Sequence, residues 1–172
     1  MNTSQLLLED FDSEMAGTRK LLARIPDSEG KADYKPHDKS MPMGRLAMHV
    51  AHLPVFAKYI LTEPCMDMAN SKLPHPDLTF RTTDAMLAEF DAAAAETRKA
   101  LAAASDADLA AKWKFSFGDQ VILNESRSRT YRLMFFNHLI HHRAQLGVYL
   151  RLNDIPVPGL YGPSADEQWS PK

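Results

Sequence analysis

Apolar residues recur at helical spacing in four stretches of the chain. From about Ser4 to Ile25, the residues Leu7, Leu8, Phe11, Met15, Leu22 and Ile25 share one side of a helix, and Pro26 ends it. The polar stretch Asp27 to Met43, with Pro36 and Pro42, reads as a long loop. A second helix runs from Met43 toward Leu61 on a stripe of Leu46, Val50, Leu53, Ala57 and Ile60. Pro54 lies inside it and predicts a kink, because proline removes one backbone donor. After Glu63-Pro64 comes another loop, to about Phe80, carrying Pro74 and Pro76. Asp84 to Ala104 is alanine-rich, with Met86, Leu87, Phe90, Thr97 and Leu101 on one side, and predicts a third helix. Trp113 to Leu123 differs in kind: aromatic and β-branched residues flank Gly118-Asp119, the pattern of a short hairpin or extended excursion. Ser126 then caps a fourth helix reaching about Asn153, before an irregular tail from Gly159. Four long amphipathic helices with little strand content predict an all-α four-helix bundle, as a single domain over residues 1–172.

Composition narrows the function classes. A hydrophobic content of 45% is that of a globular chain. The net charge of -2 comes without a basic cluster, which argues against nucleic acid as a partner. The single cysteine, Cys65, excludes a disulfide within the chain and fits a reducing compartment. The N-terminal residues lack the basic and apolar regions of a signal peptide, and no apolar run nears the roughly 20 residues that span a bilayer. The expectation is a cytoplasmic protein with no membrane partner.

The histidines are the unusual inventory. Five of the seven fall in two helices: His49 and His52 in the second, His138, His141 and His142 in the fourth. At about 100° per residue, positions four apart differ by about 40°, so His138 and His142 stack on one face. Two imidazoles at that spacing can ligate one ion. His141 points toward the edge or solvent. In the second helix His49 borders the apolar stripe and His52 is turned further away. His37 and His75 lie in loops. One reading is a divalent metal site on His49, His138 and His142, since three protein ligands plus open positions is the pattern of catalytic zinc sites. Nickel, iron, cobalt and manganese also accept imidazole. The other reading is a set of buried histidines satisfied by hydrogen bonds. No His-Glu-x-x-His motif supplies a general base, because residues 139 to 141 are Leu, Ile and His. Gln145, one turn beyond His141 and His142, is either a supporting residue for a ligand or a surface residue.

Several segments together carry a family resemblance. Asn137-His138-Leu-Ile-His-His142-Arg143-Ala-Gln145-Leu, then Tyr149 to Pro158, resembles the closing helix of the DinB family. The tail Gly159-Leu-Tyr161-Gly162-Pro163-Ser164 with Asp166-Glu167 is similar to the same family, as is Tyr34-Lys-Pro36-His37-Asp-Lys39 leading into Gly44 and His49. The resemblance covers most of the chain, from the first helix to Glu167. It implies a bundle of up-down-down-up course, usually a homodimer, holding one divalent metal, often nickel or zinc, on three histidines that fall here on His49, His138 and His142. It also brings in a superfamily that includes S-transferases and isomerases using low-molecular-weight thiols.

Two functions follow as expectations. In the first, the metal activates a thiol or a water that attacks a small electrophilic substrate, with no catalytic side chain assigned. In the second, the metal only staples the bundle, or the protein is a dimeric binding module. Phe136 and Ile140 lie roughly opposite the histidine side in helical phase, which points to a homodimer through helices. Arg143 either meets an anionic substrate group or forms a salt bridge, for example with Asp166 or Glu167. Trp113 and Trp169 are expected to pack over loops.

Overall fold

Asn2 opens the first helix with a reciprocal cap: its side chain accepts from the Gln5 backbone N–H, and the Gln5 side chain accepts from the Asn2 N–H. In the computed structural model, which describes residues 2–28 and 30–168, this helix is α1 (Thr3–Leu22). It buries Leu7, Phe11, Met15, Thr18, Leu21 and Leu22, the spacing of a single helical face. The second helix, α2 (Met43–Thr62), is buried on a far wider arc, including Leu46, Ala47, Val50, Ala51, Leu53, Ala57 and Ile60. It is therefore the central helix, contacting both the third helix and the last. Pro54 sits inside it, and Thr97 Oγ1 donates to the Pro54 carbonyl at 2.6 Å, tying the next helix to it. That next helix is α3 (Thr83–Ala103), capped by the Thr82 side chain. Asp27 receives hydrogen bonds from both the N–H and the hydroxyl of Thr83, so the loop after α1 is bound to the start of α3.

The all-α expectation is corrected here. The segment after α2 forms β1 (Cys65–Asp67), which pairs in parallel with β2 (Lys112–Phe117), and β2 pairs antiparallel with β3 (Gln120–Ser126). The molecule is a mixed structure: long helices around a three-stranded sheet in the order β1-β2-β3. The sequence hides this because β1 has three residues, too few to show a period of two, and lies in a proline-flanked linker. It is a strand only because β2 offers it backbone partners. Trp113, in β2, donates its indole N–H to the Glu63 carbonyl at 3.0 Å, fixing the chain just before β1. The hairpin turn is at Gly118, whose φ of +57° needs glycine. A short helix, α4 (Asp106–Ala110), precedes β2 under a Ser105 cap.

Ser126 accepts from the Arg129 N–H, so the expected cap is in place. The final helical stretch is not uniform. It runs as α5 (Arg127–Tyr131), a π-helical segment at Arg132–Phe136, and α6 (Asn137–Leu152). The wider turn closes with the Asn137 N–H bonding to the Arg132 carbonyl, and it accommodates one extra residue. The phase beyond it moves by about 100° relative to an unbroken α-helix. One expectation is overturned, and the salt bridge expected of Arg143 forms with a different partner. Phe136 is 6% exposed, packed beside Phe135 and Tyr131 and not turned outward for a partner. Arg143 is 2% exposed and pairs with Glu14 of α1 at 2.5 Å, while Asp166 and Glu167 pair with Arg151 and Arg24. Trp113 is fully buried, and Trp169 lies outside the described residues.

Candidate metal centre

The central helix and the last helix bring three imidazoles together. His49 comes from α2, His138 and His142 from α6, and one ring nitrogen of each lies within 4.8 Å of the others. Ring centroids are 5.0 Å apart for His49 and His138, and 4.7 Å for each of the other two pairs. His49 Nε2 and His138 Nε2 are 3.2 Å apart. Two nitrogens each about 2.1 Å from a common ion, at angles between octahedral and tetrahedral, stand roughly 2.9 to 3.4 Å apart. The spacing therefore fits a shared ion.

The outer nitrogens are held as ligands require. His142 Nδ1–H donates to Gln145 Oε1 at 2.8 Å, and His138 Nδ1–H points to the Met134 carbonyl at 3.3 Å. A proton fixed on Nδ1 leaves the lone pair on Nε2, facing the cluster. Met134 belongs to the π segment, so the irregular turn also supplies an acceptor for a ring one turn later. Burial holds all three rings below the ordinary histidine pKa. For His49 burial is the largest cause, the neighbouring His142, His138, Arg45 and His52 add to it, and the value falls to about 4. For His138 burial and His142 outweigh the Met134 carbonyl, and for His142 burial outweighs the Gln145 hydrogen bond. At neutral pH the cluster is a set of uncharged nitrogen donors.

The remaining histidines are elsewhere. His52 bonds Glu89 of α3 through Nε2 at 2.8 Å. His141 is exposed and meets only the edge of the His142 ring among these groups, at 4.9 Å. His37 accepts from the Lys39 N–H within its own loop. Arg143 faces away from the cluster into α1, where it donates to Thr18 Oγ1 and the Glu14 carbonyl, and its guanidinium lies 5.3 Å from the Tyr161 ring.

One feature had no signal in the hydrophobic pattern. Beside His49 and His138 opens a cavity of about 470 Å³, within the usual range for small-ligand sites. His75 and Asp77, from the proline-flanked loop, line it together with His52. The prolines at 74 and 76 restrict the backbone around His75; that stiffness was the one available hint that the loop holds a side chain in place.

The sequence model of the DinB family matches residues 1–171. This chain belongs to the DinB family. Solved structures of two DinB-like proteins share the fold of this DinB chain. One, from Bacillus subtilis, is 20% identical, with a TM-score of 0.66 over 95% of this chain and 99% of that one. The other, from Bacillus cereus, is 19% identical, with a TM-score of 0.64 over 90% and 95% respectively. No curated protein matches this DinB chain in sequence.

Proposed function

We propose that this DinB-family chain is a metal-dependent enzyme formed by one domain, with His49, His138 and His142 holding a single divalent ion, nickel or zinc before iron, manganese or cobalt. The reaction is attack of a low-molecular-weight thiol or of water on a small electrophile. The observation that carries the reading is the convergence of three uncharged imidazoles, two of which, His49 and His138, line a cavity large enough for a substrate. An ion held there would supply Lewis acidity and lower the pKa of a thiol or water brought to it. The chain's own part is to keep the three rings neutral by burial, to orient two of them through Gln145 and the Met134 carbonyl, and to offer apolar walls beside them for a substrate. In the thiol reaction the S–H proton passes to solvent, sulfur bonds to the electrophilic carbon, and the bond to the leaving group breaks so that the group departs with its electron pair. With water the same balance gives hydrolysis.

Elemental analysis of the untagged protein tests the reading. The expected result is one ion per chain, lost in both His138→Ala and His142→Ala. An absence of metal after reconstitution overturns it. A cobalt-substituted form separates catalysis from stapling: a spectrum that shifts when a thiol is added supports an open site. A spectrum indifferent to thiols and to small anions instead marks an ion that only ties α2 to α6. The working unit in this reading is a homodimer, and light scattering that shows a monomer at every concentration overturns that part.

A further inference from the structure

The cavity has a direction. His49, Leu53, Phe56 and Tyr59 all line it from α2, spaced by four, three and three residues along one face of the helix. At 1.5 Å per residue, the face from His49 to Tyr59 is about 15 Å long. The cavity therefore extends from His49 and His138 along the central helix. Much of the remaining lining is apolar: Met66 from β1, Met68 just after it, Phe115 from β2 and Met134 from the π segment. Unbranched thioether side chains adapt to a long flexible ligand better than rigid branched ones.

Charge narrows the class. No lysine or arginine is among the described residues that line the cavity. The acidic group there, Asp77, is held well below the usual carboxylate range, to about 2, by hydrogen bonds from Thr79 and Arg81. His52 is engaged by Glu89. Arg81 pairs with Asp77 at 2.7 Å and compensates its charge, so an anionic ligand would meet no free cation along the cavity, while an uncharged one would replace water on apolar walls.

Building on the metal-dependent reading above, we propose that the substrate is an uncharged electrophile with an unbranched apolar tail, on the order of ten carbons, lying along α2 with its reactive carbon beside His49 and His138. The three methionines and Phe56 set the tail length, and the lack of a lysine or arginine in the lining disfavours carboxylate and phosphate analogues.

The test uses full-length, metal-free protein, so that it does not depend on the ion. A neutral fluorophore, N-phenyl-1-naphthylamine, is bound and then displaced by unbranched primary alcohols of increasing length and by the matching carboxylates. The affinity of the alcohols should rise about fourfold per methylene and level off near ten carbons, with carboxylates at least about tenfold weaker. Met68→Trp should shorten the length at which affinity levels off. Met68→Lys should invert the preference and favour carboxylates, a gain that misfolding does not mimic. No displacement by any alcohol, no dependence on length, or equal binding of carboxylates overturns the proposal. Alcohol binding by a chain that never takes up metal would sink the metal reading and leave the cavity's specificity standing. Metal uptake without alcohol binding would do the reverse.

Discussion

Gln145 shows how one exposed side chain can matter to a site it does not enter. Its Oε1 accepts from His142 Nδ1 at 2.8 Å, which fixes the tautomer with Nε2 free and offsets part of the burial effect on that ring. Gln145→Ala removes the acceptor, so the ring is free to turn and to carry its proton on either nitrogen. The expected outcome is metal affinity weakened by about 10- to 100-fold with an unchanged melting curve of the metal-free protein, read by competition with a chromophoric chelator. Arg143, two residues before it, has the opposite character. It is 2% exposed, with Glu14 at 13%, and its guanidinium has partners from α1 and the tail. Glu14→Ala leaves that charge buried with only neutral acceptors. Urea denaturation should show a loss of about 3 kcal/mol, since breaking a buried pair is worse than never having built it. A loss below about 1 kcal/mol would show that water reaches the guanidinium freely.

Element by element, the long helices were legible because burial follows the apolar spacing closely. The third helix was expected at Asp84 to Ala104 and is Thr83–Ala103; the second was expected from Met43 and starts there. His49 was separable from His52 because helical phase alone distinguishes them, and the structure puts His52 on Glu89. What was hidden had physical reasons. A π turn has no residue signature, so the break in the last helix could not be read, and the burial of Arg143 between Leu139 and Leu146 depends on Glu14, a partner distant in sequence. The pair His138 and His142 is unaffected because both lie beyond the turn and keep their mutual spacing. The short β1 and the cavity depend on partners distant in sequence, which periodicity does not report. Gly44 is a further case: it is the second residue of α2, where alanine would normally be the better helix former by about 1 kcal/mol. A Cβ at that position would meet Phe80 Cβ at 2.8 Å and Ala32 Cβ at 3.2 Å, because two loops close over the start of the helix. Gly44→Ala is thus expected to destabilise the protein by about 1 to 3 kcal/mol, the reverse of the propensity effect. A thermal melt at or above that of the parent would show that the loop carrying Phe80 yields easily.

For the whole molecule, the triad links folding to protons and to metal. The described helices include none long and apolar enough to cross a membrane. In the folded chain burial and neighbouring imidazoles lower His49 from 6.5 to about 4, and His138 and His142 shift in the same direction. Between those two pH values the unfolded chain binds more protons than the folded one, so acid favours unfolding. The histidine contribution is fully present above about pH 6.5 and is lost as pH falls toward about 4. A divalent ion competes with the same protons for the same nitrogens, and binding to the folded state alone adds stability by mass action. The melting temperature of the metal-free protein should therefore decline across that window, and the increment given by saturating nickel or zinc should shrink in parallel. His49→Gln removes the most depressed of the three groups, so its metal-free profile should be flatter through the window and its metal increment small at every pH. Equal slopes in parent and variant, with an undiminished metal increment in His49→Gln, would mean that proton linkage and metal binding reside in other residues.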